Sequence, residues 1–288
     1  MKEKFREPKR RSRRTRNLME EIDAAVSEYY PPTPLTVRQV FYRLLGKRIV
    51  KRTEKAHDRV QRTISEMHYT GMLDWDGIVD PSRRTQKHPE FADVPDALQT
   101  LAKEYRTDWW AEQSQRVEIW SEKETIAEFL RPVADKWHVR VLLNRGYGSD
   151  AAMRDAAERM NAFEKQTFIL YVGDHDPAGL LMIDSTSEKL TAFSPQAYDL
   201  VHIALTQKQV QQYSLPPTRV KRSEPGRKQY VSRHGRRCWE LDALDPKVLT
   251  AIVEEAITAH IDRPEAFKRR QAQDRQDAEK LRQILEGQ

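Results

Sequence analysis

The chain of 288 residues carries 50 Lys/Arg, 44 Asp/Glu and one cysteine, Cys238. One cysteine excludes an internal disulfide, and no apolar run approaches the length of a signal segment or membrane span. The length allows two modest domains, each with its own core, and the expected setting is a reducing cytoplasm.

Residues Met1 to Glu20 hold nine Lys/Arg against three Glu, a net of +6, and the remaining residues balance at 41 against 41. The excess therefore belongs to a basic arm, residues 1–16, in which Arg10, Arg11, Arg13 and Arg14 cluster. Such an arm is suited either to neutralising the phosphates of a nucleic acid or to keeping the chain dissolved, and both readings stand.

From Asn17 to Tyr29 the apolar residues Leu18, Ile22, Ala25, Val26 and Tyr29 recur at helical spacing, until "PPTP" at Pro31 to Pro34 forbids continuation. The next helix opens with Thr36 as N-cap and Gln39 three residues on, a capping box, with Leu35 and Val40 placed as a hydrophobic staple. Its apolar stripe is Val37, Val40, Phe41, Leu44 and Leu45. Tyr42 falls about 130° from the centre of that stripe, so it is expected on the outer face beside Arg38.

A third helix follows in "TEKAHDRVQRTISEMHYTG", with Ala56, Val60, Thr63, Ile64 and Met67 inward, Lys55, Arg59 and Arg62 outward, and Gly71 ending it. Between Arg38 and Arg62 there are nine Lys/Arg and two acids. "MLDWDGIVD" then alternates and turns at Asp76-Gly77, which predicts a β-hairpin. Helix, helix and hairpin with a basic outer face predict an N-terminal winged helix-turn-helix domain over residues 17–110, laying Lys55, Arg59 and Arg62 toward double-stranded DNA. An ordinary solvated face is the alternative. A Pro-containing connector, "PSRRTQKHPEFADVPD", leads to a domain break near Trp110, where Trp109 and Trp110 either stack on bases or pack the junction.

Over residues 111–288 the period changes. "RVEIW", "VRVLL", "TFILYV" and "DLVHIAL" alternate with helical segments near Glu124 to Lys136, Asp150 to Phe163 and Pro177 to Leu190, the pattern of a parallel sheet covered by helices. Ligands of such α/β sheets bind at the carboxyl ends of the strands. That rule selects Glu122 after the first strand, and Asp174 and Asp176 after the third. Oxygen ligands of this kind suit Mg²⁺. Pro177 fits the first position of the next helix and Asp176 its cap. A purely structural capping turn is the competing reading, since Asp74 and Asp76 have the same spacing with no buried strand before them. The tail from Asp262 to Gln288 reads as a charged helix that docks on the preceding domain or on a second subunit. His57, His68 and His234 show no ligand spacing.

The segments "WSEKETI", "NRGYGSDAAMRDAAERM" and "YVGDHDPAGL" resemble a Toprim domain, the Mg²⁺-binding module of topoisomerases, primases and some nucleases. Upstream, "TVRQVFYRL" resembles the Arg-x-x-Tyr/Phe-Tyr motif of the type IIB topoisomerase A subunits and the meiotic Spo-eleven proteins, whose winged-helix domain carries a DNA-cleaving tyrosine. The resemblance covers about Thr36 to Leu190, with "ALTQKQVQQYSLPP" and "CWELDAL" similar to the compact Mini-A branch. It implies a winged helix followed by a Rossmann-like Toprim sheet, Tyr42 as nucleophile preceded by Arg38, and Glu122, Asp174 and Asp176 as Mg²⁺ ligands, with Glu122 also catalytic. It further implies transesterification by a homodimer, in which tyrosine and metal come from different subunits. The chain has no Gly-rich nucleotide loop, so strand passage would call for a separate ATPase subunit. A Toprim nuclease using metal-activated water and a DNA-binding accessory factor without cleavage remain the other two readings.

Overall fold

The computed structural model describes residues 4–5, 7–8, 10–79, 90–143, 150–193 and 198–286. Most of the Pro-containing connector and the 144–149 part of the second motif lie outside them.

Helix α1 (Arg13–Ser27) begins behind Ser12, whose side chain accepts from the Thr15 amide, so Arg13 and Arg14 ride on the first helical turn. The apolar stripe marks the buried face of a helix, whereas the cap sets its start, and here the cap comes earlier. Helix α2 (Val37–Gly46) has the expected capping box between Thr36 and Gln39. Helix α3 (Glu54–Tyr69) is capped by Thr53. The three pack through Ile22, Val26, Val40, Leu44, Val60 and Ile64, all buried. Part of the arm is tied down as well: the Phe5 amide donates to the Tyr69 carbonyl at 2.8 Å, and the Phe5 ring lies edge-on to Tyr69 and Trp75.

The expected hairpin at Asp76-Gly77 does not form. Asp74 accepts from the Asp76 amide at 3.0 Å and winds Trp75–Gly77 into a short 3₁₀ turn. Ile78 then pairs in parallel with Leu35, a single bridge rather than a two-stranded wing. Gly77 is needed there by close approach, because a Cβ would stand 2.9 Å from Val26 Cγ1. An Asp-Gly pair specifies a tight turn, and the local Asx cap decided which kind.

After α4 (Val94–Glu104) comes a four-stranded, wholly parallel sheet of β1 (Gln115–Ser121), β2 (Arg140–Leu143), β3 (Gln166–Val172) and β4 (Tyr198–Ala204), in the order β2-β1-β3-β4. One face is covered by α5 (Ala127–Trp137) and α10 (Pro246–Thr258), which bury Phe129, Leu130, Leu249 and Val253. The other is covered by α6 (Asp150–Asn161) and α7 (Pro177–Phe193), which close over Trp120, Met153, Met160, Ile169 and Leu190. The molecule is thus an α/β protein built on a parallel sheet, as the strand and helix alternation predicts. Its largest apolar cluster runs without a gap from α1, α2 and α3 into Val117, Ile119 and Val253. Among the described residues no helix is long and apolar enough to cross a membrane.

The last helix, α11 (Pro264–Glu286), lies against α4. Phe267, 3% exposed, inserts between Trp109, Trp110 and Trp137, with ring centroids 5.7, 5.5 and 6.1 Å away. Trp109 also stacks on His138 at 3.5 Å, so both tryptophans serve packing and the charged tail docks on its own chain. Phe267→Ala removes the one aromatic anchor of α11 and is expected to cost about 3–5 kcal/mol in urea unfolding, with new proteolytic cuts after residue 262.

Candidate active site

Strand register brings the first two carboxylates together. Ser121 at the end of β1 pairs with Val172 at the end of β3, so Glu122 and Asp174 leave neighbouring strands at the same edge of the sheet. Asp176 caps α7, its Oδ1 accepting from the Gly179 amide at 2.7 Å while its carbonyl accepts from Leu180 at 3.1 Å. Gly179 permits this tight loop, since a Cβ there would stand 2.5 Å from the Asp174 carbonyl oxygen.

The three acids feel one another. Burial, followed by the charges of Asp174 and Asp176, pushes Glu122 up to about 7 from its ordinary 4.5. Burial, then Asp174 and Glu224, raise Asp176 to about 6 from 3.8, although the Gly179 amide favours its ionised form. In kind and charge these oxygens fit Mg²⁺. In arrangement they do not yet enclose it: among the described residues no three His, Cys, Asp or Glu side chains are placed to hold a metal ion. Asp174 is committed elsewhere: its Oδ1 accepts from the Leu241 amide at 2.6 Å and pairs with Lys123 Nζ at 2.7 Å.

Lys123 is the cation of the site. Its ammonium bridges Asp174 and the buried Asp242, at 2.7 and 2.5 Å. Burial works against its charge, yet Asp242 and Asp174 outweigh that and hold it protonated well above the ordinary lysine range. Asp242 in turn keeps its carboxylate ionised: burial opposes this, but Lys123 and Arg38 prevail.

Residues 239–245 form a strap that fastens α2 to the sheet. Trp239 pairs with His175 through two backbone hydrogen bonds, at 3.0 and 2.9 Å. Glu240 joins Arg38 and, at 3.3 Å, Arg52. Arg38 Nε also lies 3.7 Å from Asp242. Arg43 donates to Asp245 at 2.8 Å and to the Ala243 carbonyl at 2.9 Å, and the Tyr29 hydroxyl donates to Asp245 at 2.5 Å.

This strap overturns the expected outward position of Tyr42. The residue is 5% exposed and belongs to the core. The apolar stripe of α2 reports only the face turned to α1 and α3; the opposite face is covered by the strap and by Arg52, both distant from Tyr42 in the pattern. The phenol oxygen accepts from Arg52 Nη2 at 2.8 Å, while Arg38 reaches it only through Glu240. Burial raises the Tyr42 pKa more than Arg52, Arg38 and Lys123 lower it, so the phenol is held neutral here. A cavity of about 520 Å³ opens beside it, edged by Arg38, Arg52, His57, Lys221 and Glu240.

An unbroken run of polar contacts thus leads from Tyr42 through Arg52, Glu240, Arg38, Asp242 and Lys123 to Asp174, all within one chain. The resemblance implied that these groups meet across a subunit boundary. Sequence reasoning missed Arg52, Lys123, Glu240 and Asp242. Lys123 stood inside "SEKE", next to the chosen glutamate, and Glu240 and Asp242 inside "CWELDAL"; no spacing rule links these segments.

The expected DNA-contacting residues divide. Lys55 and Arg62 are exposed on α3, as are Arg10, Arg13 and Arg14 at the arm and the start of α1. Arg59 is half-buried and donates to the Arg14 carbonyl at 3.4 Å. Arg11 is committed to an ion pair with Glu66. No family model matches this chain, and no curated protein does.

Lys123→Met removes the cation between Asp174 and Asp242, leaving only Arg38 near Asp242, and is expected to cost about 3–5 kcal/mol by chemical denaturation. Glu122 and Asp176 bind protons more tightly folded than unfolded, so the stability they contribute is complete below their ordinary pKa values and is lost as pH rises through about 6 and about 7. Between pH 5 and pH 8 this loss is on the order of 4 kcal/mol for the two together. In Glu122→Gln the melting temperature should change less over that interval, and at pH 8 it should exceed that of the parent.

Proposed function

We propose that this protein is a DNA-cleaving transesterase of the type IIB topoisomerase A-subunit kind, with Tyr42 as its nucleophile. The observation that carries the reading is the run of charged contacts that couples the Tyr42 hydroxyl to Asp174. That run ends at the carboxyl edge of the sheet, where α/β proteins place their chemistry.

In the step proposed, the phenol gives up its proton and its oxygen bonds to a backbone phosphorus of duplex DNA. The bond from phosphorus to the 3′ oxygen breaks, and that oxygen takes up a proton to become a 3′-hydroxyl. The 5′-phosphotyrosyl link conserves the energy of the broken bond, so resealing is the same exchange in reverse. Arg38 and Arg52 are the groups that meet the phosphate. Each is held by the Glu240 carboxylate in the closed arrangement, and a DNA phosphate entering the cavity beside Tyr42 competes with Glu240 for them. Releasing Arg52 toward the phosphate frees the phenol and admits solvent, which removes the burial that keeps it neutral. Glu122, Asp174 and Asp176 are the residues that would hold Mg²⁺, which would supply positive charge at the site. Lys123 must turn from Asp174 toward Asp242 for that carboxylate to become available. A double-strand break takes two copies, hence a homodimer, and strand passage takes a separate ATPase.

The buried phenol supports a second reading, a nuclease that hydrolyses with metal-activated water and uses Tyr42 only to position Arg52. The test uses end-labelled and supercoiled DNA with Mg²⁺, stopped by denaturant. The reading expects label covalently attached to protein, lost in Tyr42→Phe with at least a 100-fold fall in cleavage. Cleavage that survives Tyr42→Phe gives the reaction to water. Salt-sensitive binding with no cut DNA of either kind makes the protein an accessory factor.

A further inference from the structure

Beyond the basic arm the chain is neutral in sum but not in place. Between Arg219 and Arg237 there are eight Lys/Arg and a single acid, Glu224. All but Arg227 of these cations are exposed, and among the described residues none of the eight forms an ion pair. Exposed cations of α6 and α11 by contrast have acidic partners, as Arg154 has Glu158 and Lys268 has Glu265. An unpaired surplus of seven positive charges on one small module repels itself, and a polyanion relieves that repulsion.

The module is well built. Strands β5 (Thr218–Arg219) and β6 (Arg237–Cys238) pair antiparallel and flank α9 (Arg227–His234). Val220, Tyr230 and Cys238 form its own buried cluster against Leu180 of α7. The Tyr230 hydroxyl lies 2.9 Å from the carbonyl of His175 and 3.1 Å from that of Arg237, which fixes α9 to the loop bearing Asp174 and Asp176. Gly226, at φ 71°, brings the start of α9 so close to α7 that a Cβ would stand 3.1 Å from the Pro177 carbonyl oxygen. On its other side Arg52 donates to the Pro216 carbonyl at 2.7 Å, and Lys221 edges the Tyr42 cavity. The cations are therefore held in fixed register with both the tyrosine and the carboxylates.

We infer that the β5–α9–β6 module is a docking face for the phosphate backbone of duplex DNA, distinct from the arm and α3, and that it presents the duplex to the cavity beside Tyr42. Charge selects a polyanion, and the rest of the surface selects among polyanions. Its aromatic residue Tyr230 and the adjoining Trp239 are buried, so the module offers no platform on which unstacked bases would lie. Val220 and Cys238 are buried too, which leaves no apolar face for insertion into a lipid surface. What remains is backbone recognition by arginine and lysine, which follows the phosphates of a duplex without reading bases.

This inference rests on the proposal that DNA is the substrate, and the test separates the two. Binding of a fluorescent duplex is measured across a range of salt for the parent, for Arg222→Ala/Lys228→Ala/Arg233→Ala/Arg236→Ala, and for a control of equal charge change, Arg154→Ala/Lys268→Ala/Lys280→Ala/Arg282→Ala. The module variant is expected to reduce the slope of log affinity against log salt by about 3 and to weaken binding roughly 100-fold at 0.1 M salt, with an unchanged melting temperature; the control should keep most of both. A parent that binds no duplex sinks the proposed function. A parent that binds while the module variant keeps its slope, or loses no more than the control, overturns the docking face alone, as does tighter binding of single strands or of anionic vesicles than of duplex.

Discussion

Lys123 between Asp174 and Asp242 is the contact on which the rest of the site depends. Asp174 at the sheet edge and Asp242 from the strap repel each other at the low polarity of a protein interior, and the ammonium placed between them offsets that repulsion. Because Asp242 belongs to the strap and Asp174 to the sheet, the same ammonium also decides where residues 239–245 lie. The strap then determines what α2 can expose. Tyr42 is covered, Arg38 and Arg52 are turned toward Glu240, and Arg43 and Tyr29 are anchored on Asp245.

The strands and helices of the sheet were legible because local pattern suffices for them. β1, β3 and β4 follow their apolar runs, Pro177 opens α7 with Asp176 before it, and the Thr36–Gln39 box starts α2. What escaped was set by contacts far apart in the chain. Amphipathicity assigned α2 one buried face, and only a segment some 200 residues later supplies the second. The hairpin failed for the opposite reason, a very local one: the Asp74 side chain captures the amide two residues on and closes a 3₁₀ turn. Glu122, Asp174 and Asp176 were found by the rule of strand ends, but their partners Lys123 and Asp242 had no pattern of their own.

Charge was misjudged in an instructive way. A balance of 41 against 41 beyond residue 20 looks neutral, yet it conceals the module around α9 and the acids gathered at the sheet edge. Positive and negative groups are segregated by only one loop, since the backbone of His175 is shared between the Tyr230 hydroxyl and Trp239. A strongly cationic surface and an acidic sheet edge thus lie side by side.

The order of synthesis gives the strap one more meaning. Tyr42 leaves the ribosome long before Glu240 and Asp242 exist, so Arg38 lacks its carboxylate partners, and Tyr42 its cover, until residues 239–245 have been made. The strands that lead to Glu122 and Asp174 precede the strap in the chain, so the sheet edge is made first and the segment that covers Tyr42 closes onto it afterwards.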